Sequence, residues 1–242
     1  MHKLPQFSED NPMKSLLSFS FVTFLKRYPF AMLLAVQLVS VLIYGFMSNS
    51  EASHVVFNSI GLIVPILAVW VVYRSPIVSW VGAVLVVLAI GFSLTATFSH
   101  QTSLFIWAHT FESLLYFYAA IGLTRYMFAD DEVTIDELYA AGATFTLLVW
   151  GFALAYSVCQ QIVPASIIAA TNPLMQRTWV ELLFMSFSIQ SGTGIGDIVP
   201  VSNAARAISS IQMFTGLMYI AVVISHLVGL AAGKRANNQN NS

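Results

Sequence analysis

Ser191-Gly192-Thr193-Gly194-Ile195-Gly196-Asp197 lies between two long apolar segments, and its three glycines stand at alternate positions. Glycines two apart do not share a helix face, so they cannot form a helix packing surface. Their value is backbone freedom, since glycine reaches φ > 0 at little steric cost and lets successive carbonyls point the same way. Irregular backbone at membrane depth is tolerated only where it is buried in protein or lines a watery passage. The spacing therefore predicts a loop whose carbonyls coordinate an ion between two spans.

The rest of the chain supplies the membrane setting. Residues are 57% hydrophobic and only 9% charged, against roughly 25% charged in an ordinary soluble domain. Apolar runs of spanning length predict six transmembrane helices at about 30–47, 55–73, 77–98, 104–128, 138–162 and 205–230, hence an all-α membrane protein. The glycine loop, preceded by a short helix at about 178–190, then re-enters the membrane between the fifth and sixth spans. Lys3, Lys14, Lys26, Arg27, Arg74, Arg125, Lys234 and Arg235 fall in the termini or the second and fourth connections, and only Arg177 and Arg206 fall on the other side. The positive-inside rule then puts both termini in the cytoplasm of a cell membrane and the glycine loop toward the outer face.

Phe184-Met185-Ser186-Phe187-Ser188-Ile189-Gln190-Ser191-Gly192-Thr193-Gly194-Ile195-Gly196-Asp197-Ile198-Val199-Pro200-Val201 resembles the pore helix and filter of tetrameric potassium channels, whose common form is TTVGYGD followed by an apolar pair and proline. Without gaps, Gly194-Ile195-Gly196-Asp197 falls on GYGD, and Pro200 falls on the family's proline. Gly216, 19 positions after Asp197, stands where that family often has a hinge glycine. From about 136 to 233 the chain resembles the two-helix pore module, most closely that of small bacterial six-span ion channels without large cytoplasmic domains.

The resemblance implies a homotetramer in which carbonyls of Gly192, Thr193, Gly194 and Ile195, closed off by Gly196, form stacked rings around a dehydrated potassium or sodium ion. Two departures bear on selectivity. Gly192 has no hydroxyl where the family usually has threonine, and Thr193 stands at the usual valine, its side chain expected to turn away from the axis toward the pore helix. Ile195 replaces the usual tyrosine, so apolar packing on Phe184 and Met185, with Ser188 and Asp197 as further support, is expected in place of a hydrogen-bonded cuff. Gly216, Ile220 and Ile224, spaced by four, either face the conduction path as hinge and gate or pack between subunits. His226 lies near the cytoplasmic mouth, as a titrating or a merely interfacial group.

By the same resemblance, 28–128 is a domain like a voltage sensor. A sensor needs cations at every third position of one span, because each moved charge contributes roughly 2.3 kcal/mol per 100 mV. The fourth expected span has only Arg125, at its inner end, so voltage insensitivity is expected. His109 and Glu112, at i,i+3, share a helix face; they read either as a proton or cation sensor or as groups near the outer interface, relieved by water and snorkelling.

The remaining segments are short. Residues 1–27 hold an apolar run, 16–25, followed by Lys26-Arg27 with no small-residue cleavage site, which suits an interfacial cytoplasmic segment or simple disorder. In the acidic cytoplasmic linker 129–137, Thr134 and Glu137 have capping-box spacing for the start of the pore domain 138–233, although the same carboxylates would suit a regulatory cation. Arg177 and Glu181 read as a surface or intersubunit ion pair. Cys159, the single cysteine, reads as a buried small hydrophobe or an intersubunit contact. Residues 234–242 read as a disordered tail.

No nucleophile elbow, zinc motif or phosphate loop occurs in the sequence, so the chain is expected not to be an enzyme and to need no cofactor beyond its permeant ion. The expected partners are its own copies, membrane lipids and monovalent cations, not nucleic acid. Three functions follow in order: a passive potassium channel, a weakly selective sodium/potassium channel, and a non-conducting assembly or sensing subunit that has kept the fold.

Overall fold

The computed structural model describes residues 28–46, 67, 79–99, 101–129, 134–226, 228–229 and 232. Segment 1–27, the expected second span at 55–73 apart from Leu67, residues 130–133 of the acidic linker and the tail 234–242 lie outside the described residues. The described chain is almost entirely helical: α1 Pro29–Phe46, α2 Ser79–Ser99, α3 Thr102–Met127, α4 Ile135–Ile162, β1 Ile167–Ala169, α5 Trp179–Ser191, β2 Ile198–Pro200 and α6 Asn203–Tyr219, which runs on into a π-helical turn, Ile220–Ile224. Among the described residues, five helices are long and apolar enough to cross a membrane. The protein is a multi-pass membrane protein.

Local chemistry sets the helix starts. Proline opens α1, where its missing N–H costs nothing. Thr134 caps α4 in a full capping box, its Oγ1 accepting the Glu137 N–H (3.3 Å) while Glu137 Oε2 accepts the Thr134 N–H (3.1 Å). Thr178 and Glu181 repeat the device at the start of α5.

The centre of the fold is α4. Of its most apolar stretch 72% is buried, against 17% for α2, because α1, α3, α5 and α6 all pack on it. Leu33, Tyr116, Leu123, Met127, Leu147 and Trp150 form a core between α1, α3 and α4. A second core of Phe152, Tyr156, Leu182, Met185, Ile198 and Ala205 joins α4 to α5, α6 and the small sheet. In that sheet β1 pairs antiparallel with β2, Ile168 opposite Val199, so the strand leaving the glycine loop is tied to the strand leaving α4.

Candidate functional site

The site is the loop Gly192–Asp197 and the elements that aim it. Helix α5 ends at Gly192, which takes the left-handed conformation (φ 72°, ψ 12°) and returns its N–H to the Ile189 carbonyl at 3.2 Å. Gly194 (φ 65°) and Gly196 (φ 149°) are also positive, whereas Thr193 and Ile195 are not. The sign of φ thus alternates along the loop, the pattern that brings successive carbonyls to one side and that only glycine accepts at every second position. Because α5 points its C-terminus at this loop, the negative end of its dipole favours a cation there.

Every residue from Ser191 to Asp197 is exposed in the single chain. Its main attachment is the Ser188 carbonyl, which accepts from Gly194 N, Thr193 Oγ1 and Ser191 Oγ, each at 3.4 Å. The Thr193 side chain therefore lies against α5, and Ser188 holds the loop through its main chain. At the far end the Asp197 carbonyl accepts the Ala170 N–H (3.2 Å), continuing the β1–β2 ladder. Phe184, Met185, Ser188, Ile195 and Gly196 line one cleft of about 170 Å³ behind the loop. Met185 is buried, Ile195 is 68% exposed, and the ring of Phe184 closes on Gly196, where a Cβ would lie 3.1 Å from Phe184 Cε1.

Helix α6 reaches the same site from below. Ala205, Ser209, Gln212, Gly216, Tyr219 and Val223 form its buried stripe. Gly216 sits directly on α5: a Cβ there would overlap the Gln190 carbonyl oxygen and fall 3.0 Å from its carbon. Glycine at 216 answers this close approach. Ile220 and Ile224 are exposed, away from that stripe, and both lie in the π-helical turn, a local rewinding often found at functional positions. His226, just beyond, stacks on Phe128 at the end of α3, ring centroids 4.3 Å apart.

A buried polar network, which sequence reasoning missed, fixes α4, α5 and α6 together. Ser186 Oγ donates to the Val149 carbonyl of α4 (2.7 Å) and accepts from Gln212 Nε2 of α6 (2.7 Å), which also donates to the Ser186 carbonyl (3.0 Å). The Tyr156 hydroxyl donates to Gln212 Oε1 (2.8 Å) and lies 3.0 Å from Ser209 Oγ. Both amide protons and the amide oxygen of Gln212 are thereby satisfied, as buried polar groups require. Further along, Tyr219 donates to the Ala141 carbonyl at 2.6 Å. The only signal in the sequence was polar side chains inside apolar spans, which must find partners away from lipid.

One expectation about charged groups needs correction. Arg177 pairs with Glu181 at 3.2 Å, but within one chain, and it is 5% exposed instead of lying on the surface. Its guanidinium folds back on the Thr171, Asn172 and Met175 carbonyls, and Gln160 holds its main chain by two bonds of 2.8 and 2.9 Å. Five donors in a fixed fork suit this loop-closing role. Glu112 is 8% exposed and, with the half-buried His109, lines a small cavity inside the bundle. Their helix turns that face toward α1 and α4, which hydropathy alone does not reveal. Cys159 is free and buried.

No curated protein and no solved structure is significantly similar to this chain. Residues 142–231, which run from α4 through α5 and the glycine loop and beyond the π-helical turn of α6, match the model of a family described as ion channel.

Proposed function

We propose that the protein is a homotetrameric cation channel that passes potassium down its gradient through a filter of backbone carbonyls, without steep voltage dependence. The observation that carries this reading is the alternation of φ along Gly192–Gly196 in a loop that the single chain leaves bare. Such a loop cannot face lipid, since its N–H and C=O groups would lack partners. Further copies of the chain around a shared axis would enclose it and a column of ions. Four is the number that the filter form implies.

The exposed face of α6, with Ile211, Phe214, Leu217 and Ile220, would then line the inner cavity or meet neighbouring copies. Among the described residues, α1, α2 and α3 carry a single lysine or arginine, Arg125, which supports the lack of voltage sensing. Both termini are assigned to the cytoplasm, and the chain is read as having no enzymatic activity and no resident cofactor. The connection 128–134 spans at most roughly 25 Å even when extended, and α3 packs closely on α4 of its own chain. In the tetramer each four-helix domain would therefore rest on its own pore helices.

A second reading, a weakly selective sodium/potassium channel, is favoured by Gly192. It serves as the left-handed cap of α5 and offers no hydroxyl ring at the innermost position. Purified protein in planar bilayers under bi-ionic potassium and sodium decides between them. A reversal potential displaced strongly toward potassium supports the first reading, and one near zero the second. An intact assembly without current supports a non-conducting subunit.

A further inference from the structure

The connection from α4 to α5 contains a turn, Asn172-Pro173-Leu174-Met175, whose two largest side chains are apolar and bare: Leu174 is 87% exposed and Met175 63%. A loose loop would let such side chains fold back onto the chain. This one is held out. The Met175 N–H closes the turn on the Asn172 carbonyl at 3.1 Å, Asn172 takes the left-handed conformation (φ 53°), and the Pro173 ring locks its own φ. Behind the turn the buried Arg177 guanidinium donates to the carbonyls of Thr171 (3.4 Å), Asn172 (2.6 Å) and Met175. A buried cation and a left-handed residue are thus committed to presenting two apolar side chains outward.

The neighbours of the turn fix its depth. Arg177 is bonded through its main chain to Gln160 in the last turn of α4, and Trp179, which opens α5, lies against Tyr44 in the last turn of α1, ring centroids 6.4 Å apart. The turn, within hydrogen-bond reach of Arg177, is therefore level with the ends of two helices long and apolar enough to cross a membrane. That is the boundary between hydrocarbon and water, a layer of roughly 5–8 Å on each side of the bilayer core. Phe46, the last residue of α1, is bare at the same level. Laterally, the 13 residues of α5 separate the turn from the glycine loop, a length of about 20 Å at 1.5 Å per residue. The turn belongs to the periphery, beside α1, and not to the mouth that the loop would form.

The chemistry of the tip selects its partner. Residues 170–176 carry no charge, so nothing there calls for an ionic ligand. Two side chains fall far short of the roughly 800 Å² that a stable protein partner covers on each side. Acyl chains need no matching surface, and apolar groups at a bilayer boundary gain by leaving water for them. A turn already fixed gives up little conformational entropy in doing so.

We propose that the turn Asn172–Met175 is a lipid anchor: Leu174 and Met175 enter the acyl-chain boundary of the leaflet at that end of the bundle, the outer leaflet in the orientation assigned above. Through Arg177 the anchor fastens the start of α5 to the bilayer surface. It does not depend on whether the glycine loop conducts.

The test places a nitroxide spin label on Leu174→Cys and, separately, on Met175→Cys in the full-length protein, reconstituted into dioleoylphosphatidylcholine vesicles. The wild type, whose free Cys159 is buried, is the labelling blank. Collisions of the label with oxygen, which concentrates in acyl chains, are compared with collisions with a water-soluble nickel chelate. Anchoring raises the oxygen-to-chelate ratio several-fold over that of the same label free in buffer, at both positions. A ratio equal to that of the free label means a turn standing in water and overturns the proposal. Exclusion of both reagents means that protein covers the turn, a second copy or another chain, and overturns it equally. Should one variant fail to assemble, the other decides by the same readings.

Discussion

Replacing Gly216 by alanine separates two explanations of that glycine, a hinge in the inner helix and a contact with the pore helix. Two effects oppose each other. Alanine favours a helix interior by about 0.8–1.0 kcal/mol over glycine, so a free hinge position would gain stability. Against this, the new methyl would overlap the Gln190 carbonyl oxygen and lie 3.0 Å from its carbon. Those are main-chain atoms of a helix and have no alternative rotamer. Overpacking of a fitted interface costs about 1–3 kcal/mol and occasionally more, and a backbone partner puts the cost toward the upper end. The balance is a net loss of about 1–2 kcal/mol per subunit. Thermal unfolding in detergent followed by circular dichroism measures it. Gly91 in α2, where a Cβ would meet nothing within 4 Å, is the internal control, and Gly91→Ala should gain up to about 1 kcal/mol. A Gly216→Ala protein that melts at or above the wild type, with Gly91→Ala behaving as expected, would refute the packing account and restore the hinge.

Gln212→Leu removes three buried hydrogen bonds, leaving Tyr156 only Ser209 Oγ to donate to, and should cost about 1–3 kcal/mol per subunit. Tyr156→Phe alone should cost less, and the pair should be clearly non-additive in a double-mutant cycle of melting free energies; strict additivity would mean the two do not share a network. Gly192→Thr puts a β-branched residue at φ 72°, at a cost of roughly 1–2 kcal/mol per subunit. It should therefore reduce current instead of sharpening potassium preference through a hydroxyl ring, and a strongly potassium-selective Gly192→Thr channel in bi-ionic recordings would show that the loop tolerates threonine there. Open probability should change little across physiological voltages, and an e-fold change within a few millivolts would reveal sensing charges that α1, α2 and α3 do not carry.

What the sequence made legible was local. The helices announce themselves as apolar runs, and four of the expected spans agree with α1, α2, α3 and α4 to within a few residues. Thr134 and Glu137 are three apart in the chain, so their capping box could be read directly. The need for glycine at 192, 194 and 196 is likewise written in their spacing. Pairings across the chain were not legible. Ile167–Ala169 and Ile198–Pro200 are too short to stand out as strands, and each exists only because the other lies beside it. That Gln212 needs partners follows from its place in an apolar helix, but Ser186 and Tyr156 become those partners only when α4, α5 and α6 pack. Glu112 shows the same limit, since hydropathy gives the depth of a residue in a helix and not the face that packing chooses for it.

Support around the pore helix is unevenly distributed, and that bears on where the protein can change. At its start α5 is held by the Thr178–Glu181 box and by Arg177 and Gln160; at its middle Ser186 ties it to α4 and α6; near its end Gly216 lets α6 lie against Gln190. The loop beyond has much less. Three bonds of 3.4 Å converge on a single carbonyl, that of Ser188, longer than the usual 2.7–3.2 Å range for N–H···O and weaker for it. Ile195 and Gly196 make no hydrogen bond among the described residues, and the contact behind Gly196 is the apolar ring of Phe184. Apolar contact resists compression but does not fix direction. In the proposed assembly the order of the carbonyls from Thr193 to Ile195 would come from what the single chain does not contain, the neighbouring copies and the ions between them. If the loop is the proposed filter, it would be stiff where it joins α5 and yielding where it meets the ion, and its selectivity would depend on assembly and occupancy as much as on its own sequence.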